Sequence, residues 1–362
     1  MKKILCLIDT LGFRGGAERQ LIGLVQMLRK RGYETDVVIY HDNPYLLQIY
    51  EGHGIMAELL KTKANRLSKF LAVRKYIKIK GGYDCIITYK DGPNFIGCLL
   101  KCFGGNFKLI VSERNTTQEI NIQTRIGFTL YRFADYIVPN SHSQAAFIQT
   151  NFPRLKSKVV TINNFTDTEL FIDRTVMPNA KRTVLTVARI SHQKNVLNYL
   201  SAISILVERG ITNIHFDWYG DVQSGEESYM SEVLNSIETL NLSNIITFHP
   251  ATIDIVPIYQ SCDIFCLPSN YEGFPNVVCE AMSCGKAIAC SRVCDNMRIV
   301  SEDRNGILFD PSNPEDIADK LEKIISMSDE QLIKWGESSR LLAEQSFSKD
   351  RFVDKYIHLI ER

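Results

Sequence analysis

Two α/β domains, each a parallel β-sheet with helices on both faces, are predicted by three features of this sequence. Short Val/Ile-rich runs alternate with longer amphipathic stretches along the whole chain, the pattern of sheets built from βαβ crossovers. The alternation halts once, at the polar joint NNFTDTELFIDRTVMPNAKR, and then resumes. At 362 residues the chain is long enough for two domains of ordinary size.

In order, the first strands read KILCLID, TDVVIY, DCIITY, KLIVSE, YIVPNS and KVVTINN. Between the first two, AERQLIGLVQMLRKRG ends on basic residues and a glycine, as a helix C-terminus does. The second series runs RTVLTVARI, IHFDWYG, IITFHPA, DIFCLPS, KAIACSR and NGILFD. The boundary is expected near residues 164–180, with two Rossmann-like domains facing each other across a cleft. Open α/β sheets bind ligands beyond the carboxyl ends of their strands, so the loops there are where chemistry is expected.

Composition is that of a soluble globular protein, 45% hydrophobic and 23% charged, with a formal net charge of +1. The total hides an asymmetry: residues 1–170 carry 24 Lys+Arg against 14 Asp+Glu (+10), and the rest 18 against 27 (−9). Such a split points to two units with different partners. No apolar run reaches the ~18 residues of a membrane span. MKKILCLIDT reads as a buried strand, since it lacks the long apolar core and cleavage site of a signal peptide. The ten cysteines form no CxxC pair and sit in apolar contexts such as SCDIFCLPS. They read as reduced, packed thiols of a cytoplasmic protein, and no metal site is expected.

Three loops carry the candidate chemistry. DTLGFRGGAERQ places Gly15 and Gly16 before a helix, either a simple turn or a backbone approach to an anion. No GxGxxG follows any strand, which disfavours a dinucleotide oxidoreductase. VARISHQKN places Arg189 and Lys194 around a short loop, with Asn195 as a cap for the next helix. The two cations are either surface charges or ligands for a phosphate or diphosphate. SNYEGFPNVVCEAMSCG places Glu272 before a turn, Pro275 in the first turn of a helix and Glu280 inside it. That helix is apolar or small on nearly every face, so Glu280 needs partners. They are either internal groups, Lys286 among them, or a hydroxyl-rich ligand such as a ribose.

Glu272-Gly-Phe-Pro-Asn-Val-Val-Cys-Glu280 resembles the glutamate–seven–glutamate motif of the retaining glycosyltransferases of family 4. GGAE, VARISHQKN, NNFTDTELF and NGILFDPSNPEDIADKL fall in the family's order, so the resemblance covers nearly the whole chain. It implies the GT-B fold, with an acceptor-binding domain over 1–168 and a nucleotide-sugar-binding domain over 169–345. Residues 346–362 would form a closing helix that returns to the first domain. It also implies roles. Glu280 would bind ribose hydroxyls, and Glu272 those of the transferred sugar. Backbone at Gly273, Phe274 and Asn276, around Pro275, would meet sugar or phosphate. Arg189 and Lys194 would neutralise the departing diphosphate, while Gly15 and Gly16 approach the donor. The family has no obligatory metal or cofactor, and no Asp-x-Asp occurs here. SERNTT departs from the pattern by placing Arg114 where relatives carry a histidine; arginine is no general base, and the role expected of it is binding the donor or an acceptor phosphate. WYGD keeps Gly220 but lacks the family's second glycine.

Residues 60–83, LKTKANRLSKFLAVRKYIKIKGGY, hold eight Lys/Arg and no acidic residue. Residues 61–80 read either as a surface for anionic lipid headgroups or as a solvated helix face. No nucleic-acid module accompanies them. The expected function is transfer of a hexose or N-acetylhexosamine from a nucleoside-diphosphate sugar, UDP before GDP, to a saccharide acceptor. The acceptor is expected to be lipid-linked, on the cytoplasmic face of the membrane, in surface polysaccharide assembly. The alternatives are a sugar-nucleotide epimerase and a non-catalytic scaffold of the same fold.

Overall fold

Val, Ile and other β-formers pack well on a pleated surface, and in a sheet covered on both faces they need no polar alternation. The computed structural model, which describes residues 2–11, 16–41, 54–63, 65–114, 116–173 and 181–362, shows this directly. The strand CIITY, for example, is buried at every position.

The chain forms two compact units, residues 1–165 with 349–362, and residues 166–348. The first opens with β1 (Lys3–Leu7), α1 (Gly16–Lys30), β2 (Glu34–Ile39), β3 (Ala57–Leu59) and α2 (Arg66–Ile79). It continues with β4 (Cys85–Tyr89), α3 (Asp91–Cys102), β5 (Lys108–Glu113), α4 (Ile122–Leu130), β6 (Tyr136–Pro139) and α5 (His142–Asn151). The second opens with β7 (Arg182–Val187), α6 (Val196–Glu208), β8 (Ile214–Tyr219), α7 (Glu227–Thr239), β9 (Ile246–His249) and α8 (Val256–Ser261). It continues with β10 (Ile264–Leu267), α9 (Asn276–Ser283), β11 (Ala287–Ser291), α10 (Asn296–Ile299) and β12 (Gly306–Phe309). It closes with α11 (Pro314–Ile325) and α12 (Asp329–Phe347), after which α13 (Lys349–Glu361) belongs to the first unit again.

Both six-stranded sheets are parallel and share one order: β3-β2-β1-β4-β5-β6, and β9-β8-β7-β10-β11-β12. The strand order reverses between β1 and β4, and between β7 and β10. Loops leaving a reversal point diverge and leave a crevice for ligand. One expected strand is corrected. KVVTINN makes only an isolated bridge, Val159 to Ile137, and the sixth strand of the first sheet is β3. Past that bridge the segment keeps bonding to β6 through backbone, with Ile162 N donating to Pro139 O at 3.1 Å.

Helix α13 contributes Phe352, Val353, Tyr356, Leu359 and Ile360 to the core of the first unit, beside Leu24 and Leu28 of α1. Its terminal carbonyls are met by lysines, Lys108 Nζ donating to Leu359 O and Ile360 O and Lys2 Nζ to Ile360 O. Cations at a helix C-terminus also complement its dipole. All ten cysteines are free and eight are buried. Burial pushes the Cys6 thiol up to about 12, which leaves it protonated and inert. Among the described residues, no helix is long and apolar enough to cross a membrane.

Candidate active site

In the second unit the loops leaving β7 and β10, on either side of the strand reversal, are laced together. Asn270 donates from its backbone N–H to Gln193 O (2.8 Å) and from its side chain to His192 O (2.9 Å); Gln193 Nε2 donates to Tyr271 O (3.0 Å). This lacing brings Lys194 Nζ to 2.5 Å from Glu272 Oε1, with side chains only 12% and 9% exposed. At such burial each charge depends on the other, since an unpaired one would cost several kcal/mol. Asn195 holds the first loop in the left-handed region at φ 60°. It does not cap α6 through its side chain, as the sequence led us to expect. Its amide donates instead to Pro268 O and Pro311 O, tying the loops after β7, β10 and β12 together.

Pro275 stands at the N-cap of α9 rather than in its first turn, and no side chain caps that end. The Asn276 N–H donates to Phe274 O at 3.0 Å, so it is engaged internally and is not a free donor. Phe274 is buried edge-on against Phe347 (5.5 Å), which fixes the turn that carries Glu272 and Gly273. Inside α9, Glu280 is 6% exposed and accepts a hydrogen bond from the Tyr259 hydroxyl at 3.0 Å. Lys286 donates to Gln260 O at 2.8 Å.

Arg189 is exposed and, among the described residues, forms no hydrogen bond or ion pair. Gly220 follows β8 where a Cβ would lie 1.9 Å from Ala188 O, so only glycine lets this backbone approach the Arg189 loop. Lys194 and Glu272 are thus in contact, Glu280 lies on the following helix, and Arg189 and Gly220 border the same set of loops.

In the first unit Gly15 lies outside the described residues, and Gly16 is the first residue of α1. Arg114 donates to Asn164 Oδ1 (2.7 Å) and to the Tyr356 hydroxyl (2.5 Å), and its guanidinium lies over the Tyr89 ring at 4.7 Å. Two of its nitrogens therefore serve the protein, anchoring the loop after β5 to α13, and Nε is buried without a partner.

Sequence reasoning missed several groups. Lys90, at the end of β4, adopts φ 71°, rare outside glycine, and bridges Glu18 (2.6 Å) and Asp9 (3.4 Å) at the reversal point of this sheet. Its place at a strand's carboxyl end was a usable signal. Glu113 is 3% exposed; its Oε1 accepts from Asn94 Nδ2 at 3.1 Å and from the Tyr131 hydroxyl. Burial, with help from Asp91, raises its pKa to about 7 against the lowering effect of Tyr131, Asn94 and Arg114. Tyr259, the partner of Glu280, looks like any core aromatic in the sequence.

Residues 14–170 match the family described as Glycosyltransferase Family 4, and residues 167–341 match Glycosyl transferases group 1. The chain is a family 4 glycosyltransferase. It is similar to an uncharacterized glycosyltransferase of Haemophilus influenzae, at 26% identity over 98% of this chain and 99% of the other. It is also similar to a Campylobacter jejuni N-acetylgalactosaminyltransferase named for a diphospho-undecaprenol-linked saccharide, at 24% identity over 96% of each chain. Among solved structures, Anabaena HepE in complex with UDP aligns over 99% of each chain with a TM-score of 0.86 at 23% identity. These likenesses identify the fold of this glycosyltransferase as GT-B. Among its described residues, no group of three or more His, Cys, Asp and Glu could hold a metal ion.

Proposed function

We propose that this glycosyltransferase moves a hexose or N-acetylhexosamine from a UDP-sugar to a hydroxyl of a lipid-linked saccharide, with retention of anomeric configuration and without a metal. The observation that carries this reading is the buried Lys194–Glu272 pair at the strand reversal of the second sheet. There, a cation can meet the donor's diphosphate while a carboxylate accepts hydrogen bonds from sugar hydroxyls. Glu280, held by Tyr259, would take the ribose hydroxyls, and Arg189 offers a free guanidinium for the diphosphate.

In the reaction the bond between the anomeric carbon and the diphosphate oxygen breaks, and its electron pair leaves with the UDP. The acceptor hydroxyl bonds to that carbon on the same face, and its proton passes to the departing phosphate oxygen. Lys194 and Arg189 stabilise the charge that develops there, the kind of electrostatic term that usually dominates catalysis. No protein base is needed, which agrees with Arg114 occupying the place of the family's histidine. The lipid-linked acceptor is favoured by the name of the Campylobacter relative, and UDP by the HepE complexes.

Helix α2 supports action at the cytoplasmic membrane surface. It buries Phe70, Val73 and Tyr76 and exposes Leu67 (66%) and Leu71 (53%) beside exposed Arg74, Lys75 and Lys78. Flotation with anionic and neutral liposomes tests this; equal recovery in both would count against it. The central test is incubation with UDP-sugars alone, where slow release of free sugar and UDP is expected. An isomerised sugar would instead favour an epimerase, and no reaction or binding with any nucleotide-sugar a scaffold.

A further inference from the structure

The turn that carries Lys194, His192–Lys194, buries none of its three residues, so packing does not hold it in place. The helix after it is different. α6 docks through Val196, Tyr199, Leu200 and Ile203, each no more than 1% exposed. The joint between turn and helix is Asn195, at φ 60° and ψ 40°. Glycine, asparagine and aspartate all tolerate this left-handed region, so the backbone alone would accept any of them. What sets Asn195 apart is its amide. The residue is 5% exposed, and the amide directs both of its N–H bonds at main-chain carbonyls, Pro268 O at 3.1 Å and Pro311 O at 2.7 Å.

Both anchors are firm. Pro268 directly follows β10 on the loop that leads to Glu272. Pro311 follows β12 in a loop that braces itself, Ser312 donating from its backbone N–H (2.8 Å) and its hydroxyl (2.7 Å) to Asp310 Oδ1. Asn198, one turn into α6, donates to the same Pro311 O at 3.0 Å. The apolar face of α6 would dock without the Asn195 amide, yet the amide is fixed where Lys194 leaves the chain.

We infer that Asn195 is a positioning residue: through its two carbonyl bonds it fixes the direction in which Lys194 leaves the turn, and so holds the Lys194 ammonium where it meets Glu272 and the donor's diphosphate. This rests on the transferase reading for the diphosphate, but not for the contact with Glu272. Placement matters because a shift of about 1 Å in a catalytic group costs on the order of 10²-fold in rate.

The test is UDP affinity by calorimetry across a double-mutant cycle in the full chain. Asn195→Gly keeps the left-handed backbone and removes the clamp. It should weaken UDP about fivefold or more in the wild-type background but less than about twofold beside Lys194→Ala, because an effect carried by Lys194 vanishes with it. A role confined to the fold would weaken UDP by the same factor in both backgrounds, and that result overturns the inference. Asn195→Asp is an independent arm. It matches the amide in shape, but in alkali it sets a carboxylate against two carbonyls. On acidification the carboxyl regains a proton to donate, so its affinity relative to wild type should recover several-fold from about pH 8.5 to 5.5; a flat ratio overturns the clamp. Cooperative thermal unfolding certifies each variant, and the aspartate arm decides if Asn195→Gly fails to fold. No UDP binding by the wild type, or none lost in Lys194→Ala, would sink the transferase reading of this site. UDP binding that Lys194→Ala weakens and Asn195→Gly leaves intact sinks the inference alone.

Discussion

Glu113→Gln is expected to raise the stability of the first unit at neutral pH and to leave it little changed in acid. An unfolded chain ionises this carboxyl near its ordinary value of 4.5, while the folded protein holds the proton until about pH 7. Below 4.5 both states are protonated and the group is neutral to stability. As pH rises through that window the unfolded state gains charge that the folded state cannot, and stability contributed by the protonated group is lost. A difference of about 2.5 pKa units corresponds to roughly 3 kcal/mol above pH 7, order of magnitude, at 1.36 kcal/mol per unit. Glutamine keeps an acceptor for Tyr131 and Asn94 without ever ionising. For a unit of this size the change amounts to about 6–12 °C in Tm. Thermal unfolding of wild type and variant at half-unit steps from pH 4.5 to 8 measures it. The gap should open with rising pH and level off above 7; a constant gap across the range would show that Glu113 titrates like an exposed carboxylate and refute the argument.

Three further outcomes follow from the second unit. Lys194→Ala and Glu272→Ala should each lower stability by about 3–5 kcal/mol, because each strands the partner's buried charge. The double variant should lose less than their sum, and all three should lose at least ~10²-fold in donor turnover; additive unfolding midpoints would show that the pair is not coupled. Tyr259→Phe should cost about 1–3 kcal/mol by leaving Glu280 short of a donor, and should weaken UDP binding by calorimetry. Turnover should persist unchanged in EDTA, and restoration by added Mg²⁺ or Mn²⁺ after a loss would contradict the role given to Lys194 and Arg189.

Sequence pattern revealed the two sheets because hydrophobic runs buried on both faces leave a plain trace, as in CIITY and AIACS. It misread KVVTINN, where β-branched composition resembles a strand but the segment meets β6 through an isolated bridge and scattered backbone hydrogen bonds instead of a ladder. The pairing of Lys194 with Glu272 depends on residues 78 positions apart meeting at a strand reversal, which topology dictates and spacing along the chain does not. The commitment of Arg114 to Asn164 and Tyr356 was equally hidden, since α13 arrives from the far end of the sequence.

Helix α13 has a consequence for biogenesis. Its apolar side chains complete the core around α1, yet residues 349–362 are synthesised only after the whole of residues 166–348. On the ribosome, the face of α1 that packs against α13 must therefore wait uncovered while the second unit emerges and folds. That interval is when a nascent chain of this design is most exposed to chaperones, and to aggregation if they are lacking.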